Sequence, residues 1–152
     1  MAILHSIVQR SYAMTEAMDA TPDADGARLA LGKRTFEAAL GTQADTFAAQ
    51  VDALAPGYGR NILEWEFADG YNRPGLDLKT RELVIVASCA ALGAVGHPAV
   101  RMHAVAALRA GATRQEVTEV LVQVGFAAGL PTALGALQAA REAMAAAGSE
   151  GA

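Results

Sequence analysis

The sequence predicts an all-α fold, a compact domain of about six to seven helices, and three observations carry that expectation. Hydrophobic residues make up 53% of the chain, much of it alanine, the strongest helix former, with aromatics at only 5%. Apolar residues recur at three- and four-residue spacing, the period of a helix face. Single glycines and prolines fall between these runs, where helices stop and start. At 152 residues the chain suits one domain, 1–152, large enough to bury a core.

Residues 2–18 fit a first helix with Ile3, Leu4, Ile7, Val8 and Met14 as its apolar set. The run 19–26 (Asp-Ala-Thr-Pro-Asp-Ala-Asp-Gly) reads as a loop by composition. A helix over 27–40 turns Leu29, Phe36 and Leu40 inward and ends at Gly41; another over 43–54 starts near Thr42 and buries Phe47, Val51 and Leu54. Pro56-Gly57-Tyr58-Gly59 breaks the chain before a helix over 60–71. On that helix Ile62, Trp65, Glu66 and Asp69 share one side, and Leu63 and Phe67 another. Asn72-Arg73-Pro74-Gly75 is a turn.

Asp77 caps a helix over 78–92, accepting from the free N–H groups of its first turn. That helix is apolar nearly all round (Leu83, Val84, Ile85, Val86, Ala87, Ala90, Ala91, Leu92), which predicts a place in the middle of the domain. Gly93 ends it, and 93–98 reads as a loop exposing His97. Pro98 starts the next helix and Gly111 stops it. Thr113-Arg-Gln-Glu116 is a capping box that opens a helix with Val117, Val120, Leu121, Val124 and Ala128 on its apolar face. Gly129 stops that one, and Pro131 starts the last, through Leu134, Leu137, Arg141 and Met144.

Composition excludes several function classes. The net charge of −4, without a basic cluster or interleaved aromatics, gives no footprint for nucleic acid. Apolar runs break well short of the roughly 20 residues of a membrane span. No basic stretch followed by an apolar core marks a signal peptide at Met1-Ala2-Ile3-Leu4-His5. The lone Cys89 cannot close an internal disulfide, which fits a reducing, cytoplasmic setting. His5, His97 and His103 form no His-x-x-x-His pair, so a zinc site is not expected. Neither a Gly-x-Gly-x-x-Gly nor a Walker loop is present, so no bound nucleotide is expected either. What remains is acid–base work by histidine and carboxylate without a cofactor.

His103 is the leading candidate, because it falls on the apolar face with Val100, Ala104, Ala107 and Leu108. A buried histidine there is either a core residue bonded to a carbonyl or a general acid/base, since histidine titrates near neutrality. Glu82 has two roles open: a carboxylate complementing the helix dipole from the first turn, or a buried acid with a raised pKa. Trp65 with its acids is either a packed indole beside a solvated edge or a pocket wall. Cys89, seven residues after Glu82 on the same line, reads first as a small buried hydrophobe. His97 sits where it can reach a pocket.

The strings Arg73-Pro-Gly-Leu-Asp-Leu-Lys-Thr-Arg-Glu-Leu83, Ala90-Ala-Leu-Gly93, Arg101-Met-His103, Ala107-Leu-Arg-Ala-Gly111, Thr113-Arg-Gln-Glu-Val117, Glu119-Val-Leu121, Gln123 and Gly129-Leu-Pro131 resemble, in this order, the carboxymuconolactone decarboxylase family. The resemblance covers about residues 33–145 and leaves 1–30 as an N-terminal extension. It implies an alkylhydroperoxidase-D-like all-α fold, a homo-trimer or homo-hexamer, and a pocket near the central helix pair. It also implies loss of carbon dioxide from a carboxylated lactone with no metal or organic cofactor. His103 matches the family's histidine, and Glu82 the position where redox relatives carry a functional glutamate. Arg101, Arg73 or Arg81 would hold a carboxylate through a bidentate pair, and Trp65, Tyr71, Phe67, Cys89 and His97 would line the site.

The chain departs from the family pattern at several places. Ala127-Ala128 replaces a Tyr-Cys pair, Tyr71 replaces a tryptophan, and the loop before His103 is about two residues longer. These changes point to a different lactone or a polyketide-like acid as substrate. The positions that align with the redox branch's cysteines hold Gly96 and Ala99, which argues against peroxidase chemistry. Three readings follow: a cofactor-free lyase or isomerase using His103 and Glu82, a non-catalytic small-molecule binder, or a redox enzyme using Cys89 alone.

Overall fold

A computed structural model describes residues 22–149, and it contains helices and no strand among them. Helix α1 spans Pro22–Leu40, α2 Ala44–Asp52 and α3 Tyr58–Ile62, which continues into a π-helical segment, Leu63–Gly70. Then come α4 Leu78–Ala91, a 3-10 turn Gly93–Gly96, α5 His97–Arg109, α6 Arg114–Ala128 and α7 Leu130–Ser149. The helix expected over 2–18 lies outside the described residues.

Local chemistry sets most of the ends. The Asp77 carboxylate accepts from Thr80 N–H at 2.7 Å and starts α4. Thr113 and Glu116 close the reciprocal capping box at the start of α6. Gly41, Gly111 and Gly129 follow α1, α5 and α6 with φ of 67°, 93° and 90°, a backbone state that side chains resist.

Several expectations need correction. The loop expected through residue 26 is helical from Pro22 onward, since proline suits a first helical turn. Helix α2 ends at Asp52, so Leu54 lies beyond it and is 88% exposed rather than buried. Residues 58 and 59 belong to α3, because left-handed Gly57 completes the break before them. Glu82 lies in the second turn of α4, not its first, so complementing the helix dipole does not explain it. His97 opens α5 and is half-buried, not exposed in a loop.

Two buried clusters meet in the molecule. One joins Phe36, Ala39 and Leu40 of α1 to Ala44 of α2, Leu63 and Phe67 of the π segment, Tyr71, and Ala106 of α5. The other joins Val86 and Ala90 of α4 to Val100, Ala104 and Ala107 of α5, Val117, Leu121 and Val124 of α6, and Ala136, Ala139, Ala140 and Met144 of α7. Helix α5 serves both, and the functional side chains lie along the seam. Close approach of α1 to the π segment depends on Gly32: a Cβ there would stand 2.1 Å from the Leu63 carbonyl oxygen.

Candidate active site

The seam between the clusters holds a hydrogen-bonded chain of three side chains. Tyr71 Oη donates to Glu82 Oε1 at 2.8 Å. Glu82 Oε2 lies 2.8 Å from His103 Nδ1. Glu82 is 0% exposed and His103 only 4%, so this is a buried polar network. Both carboxylate oxygens are satisfied, which is what a buried acid needs to avoid the full cost of desolvation.

The helices deliver each member. Glu82 sits one turn before Val86, and both face the core from α4. His103 shares the buried face of α5 with Val100, Ala104 and Ala107. Tyr71 directly follows the π segment, whose i→i+5 pattern closes with Tyr71 N–H donating to the Glu66 carbonyl at 2.8 Å. An aromatic column backs the phenol: Phe47, Phe36, Phe67 and Tyr71 follow one another with centroids 4.7, 4.8 and 4.7 Å apart. Rings in tilted, edge-to-face and stacked contact of this kind hold one another in place.

A carboxylate accepting at His103 Nδ1 fixes the ring so that Nδ1 carries the proton, as in other oriented imidazoles. No buried side-chain polar atom lacks a partner among the described residues. The second ring nitrogen, Nε2, makes no bond among them, so it carries the ring's residual exposure. Nε2 is therefore the reactive end of the network.

Beside the network lies a cavity of about 540 Å³, lined by Trp65, Glu66, Asp69, Gly70, Tyr71, Arg73, Leu76, Arg81, Val84 and Ile85. Tyr71 is the member of the network that also lines the cavity. Trp65 is 73% exposed at this wall, so the packed-indole reading does not hold. Burial, then the charge and hydrogen bond of Glu82, push the Tyr71 phenol far up, so it stays protonated and donates. Arg81 stands 5.8 Å from the centroid of the Tyr71 ring and donates to the Arg73 and Leu76 carbonyls. It thereby pins the turn that carries Arg73.

Glu66 is a residue that the sequence places on this side with Trp65 without singling it out for the site. Burial, the largest influence, holds its carboxyl above the usual range; Glu82 pushes the same way and His103 pulls against them. At ordinary helical spacing it is one of two acids beside Trp65, on either a wet edge or a pocket wall. The π segment brings Trp65, Glu66, Asp69 and Gly70 to one cavity wall together. Asp69 is tied to Arg28 at 2.6 Å, and that guanidinium lowers its pKa.

Other expected pocket residues lie elsewhere. Arg101 points to the opposite side of α5 from His103, pairing with Glu142 at 2.7 Å and donating to the Ala139 carbonyl. Two residues along a helix turn a side chain a little over halfway round, so Arg101 cannot share the face of His103. Phe67 is buried behind Tyr71 rather than in the cavity wall. His97 packs against Gly135 of α7. Cys89 is half-buried against the α4–α7 cluster, and burial, then the Glu66 charge, push its thiol up. A thiol held protonated is a poor nucleophile, which weighs against the single-cysteine redox reading.

Among the described residues, no group of three or more His, Cys, Asp or Glu is placed to hold a metal ion, and no helix is long and apolar enough to cross a membrane. The chain is 37% identical over 91 residues to a 15.0 kDa protein of Paracoccus denitrificans from the nqo9-nqo10 intergenic region, described as uncharacterized; the match covers 60% of this chain and 68% of that one. It is 35% identical over 81 residues to 4-carboxymuconolactone decarboxylase of Acinetobacter baylyi, covering 53% of this chain and 59% of that protein. The sequence profile of the carboxymuconolactone decarboxylase family matches residues 56–142, a stretch that includes Tyr71, Glu82, His103 and the whole cavity wall, and the chain belongs to that family.

Proposed function

We propose that this protein is a cofactor-free lyase that removes carbon dioxide from a small carboxylated lactone or a related polyketide-like acid, in the cytoplasm and as a homo-trimer or homo-hexamer. The observation that carries the reading is the buried Tyr71–Glu82–His103 network beside a cavity with cationic and aromatic walls. Decarboxylation leaves an electron pair that must spread into the lactone carbonyl. The barrier falls when a preorganised donor meets the oxygen where that charge develops. His103 is the donor this reading assigns: Glu82 holds its ring through Nδ1, and Tyr71 joins the pair to the cavity wall. Arg73 and Arg81 supply guanidinium groups for a substrate carboxylate. Trp65 and Tyr71 offer aromatic faces to the ring.

Family membership and the likeness to the Acinetobacter baylyi decarboxylase support the lyase class. The single cysteine supports a reducing compartment. Exposed apolar side chains on α4 and α6, Val84 and Phe126 among them, support assembly. The test is carbon dioxide release from 4-carboxymuconolactone and ring-substituted analogues by the purified protein. His103→Ala should cost about 100-fold or more in kcat with the fold intact by circular dichroism. Turnover unchanged in that variant, or no release from any carboxylated lactone, overturns the proposal.

A further inference from the structure

We propose that Glu66 is a second catalytic residue, the acid that returns a proton to the α carbon of the substrate after carbon dioxide has left; this rests on the lyase reading above. Four acids lie in or beside the cavity region, and three are committed. Glu82 accepts from Tyr71 and His103. Asp69 is bound by Arg28. Glu64 is bound by Arg60 at 2.7 Å, with Arg28 at 3.6 Å. The Glu66 carboxyl alone makes no hydrogen bond or ion pair among the described residues, and it lines the cavity. A half-buried carboxyl without a cation is a poor structural element, but it suits proton delivery.

The step balances as follows. The bond from ring carbon to carboxylate breaks and its electron pair moves through the ring to the lactone carbonyl oxygen. The O–H bond of Glu66 then breaks, a C–H bond forms at the α carbon, and the carbonyl is restored. Glu66 is left as a carboxylate and takes its next proton from solvent through the cavity mouth. The groups that act on Glu66 are Glu82 on α4 and His103 on α5; its own charge reaches Tyr71 and Cys89, and Asp69 of the same segment, Arg73 of the following turn and Arg81 of α4 share its cavity wall. Burial and the Glu82 carboxylate favour its acid form, and His103 favours release of the proton. That balance suits a group that must do both within one turnover.

The experiment runs in two arms, in heavy water. Wild-type protein acting on 4-carboxymuconolactone or an accepted analogue should place deuterium on one face of the α carbon. Glu66→Gln should slow product formation about 100-fold and give deuterium on both faces. Glu66→Asp should restore one-face delivery in part and keep a pH profile that falls as the acid ionises, a profile that the glutamine variant lacks. The same transfer in reverse is exchange of the α protons of α-angelica lactone, a lactone with no carboxylate to lose. This arm reads Glu66 even where no lactone is decarboxylated and the lyase reading has failed. Wild-type exchange above the buffer rate that is lost in Glu66→Gln supports the proposal. No exchange by wild type, exchange unchanged in Glu66→Gln, or one-face delivery retained in that variant overturns it.

Discussion

At the scale of single residues, the site depends on keeping both oxygens of Glu82 occupied. Tyr71→Phe removes the donor to Oε1 while leaving the aromatic column in place. The orphaned carboxylate oxygen should cost about 1–3 kcal/mol, seen as a lower urea midpoint with an unchanged slope. Activity should fall as well, because Glu82 would be free to turn and His103 with it. An unaltered midpoint would mean that the phenol is not a structural partner of Glu82. Glu66 predicts the opposite sign. Its folded-state pKa is raised, so between the ordinary glutamate value and that raised value the folded protein holds a proton that the unfolded chain has released. Stability is therefore lost as pH rises through that window. Glu66→Gln should raise Tm at neutral pH by roughly 2 °C, and the gain should vanish below about pH 4, where glutamate is protonated in both states. A gain that persists in acid would refute the assignment. His103 was legible in the sequence because an imidazole at helical spacing among Val100, Ala104 and Ala107 has to be buried. Glu66 was legible only as far as its shared side with Trp65 and Asp69, since nothing in its neighbours distinguishes a wet acid from one facing a cavity.

The element that carries this difference is the π segment. At the scale of helices, stop and start signals read true wherever a side chain or a left-handed glycine satisfies the free backbone groups: Asp77, Thr113, Gly111 and Gly129 all sit at the ends they predict. Thr113→Ala removes one half of the capping box and should cost about 1 kcal/mol, read as a lower urea midpoint. No such signal announces an i→i+5 run, because its cause is tertiary. Gly32 lets α1 approach the Leu63 carbonyl so closely that a methyl group has no room. Gly32→Ala must push α1 and the π segment apart, and Phe36, Phe67 and Tyr71 lie between them. The expected result is a loss of about 2–4 kcal/mol, above the usual range for a surface substitution, with site geometry disturbed in whatever fraction still folds. A variant as stable as wild type would show that the π segment is held by something other than this contact. Residues 22–26 have a local cause instead: an Asp- and Gly-rich composition reads as loop, yet proline suits a first helical turn and the helix begins at Pro22.

At the scale of the whole molecule, α4 poses a question that a single chain leaves open. Its sequence is apolar nearly all round, which predicts a helix covered on every side. Only Glu82, Val86 and Ala90 are fully buried in it, and Val84 is half exposed. Its outer face and α6 line a second cavity of about 640 Å³, walled by Leu83, Val84, Ala87, Ala91, Val120 and Val124 among others. Beyond it Phe126 is 82% exposed, and Leu130 and Leu134 follow on the next helix. Exposed apolar side chains of this kind suit an interaction surface, and the proposed homo-oligomer would supply the cover that α4 lacks. Val84 lines both cavities, so this face borders the candidate site. Covering it would also exclude water from one wall of the site, which strengthens every charge interaction inside. Sedimentation of the wild-type protein should therefore show a trimer or hexamer at micromolar concentration. Phe126 lies outside the wall of the first cavity, so Phe126→Glu tests assembly without touching the site. That variant should sediment as a monomer, keep its helical circular dichroism, and lose activity in step with dissociation. A wild-type protein that sediments as a monomer, or a monomeric Phe126→Glu with full activity, would mean that the site is complete within one chain.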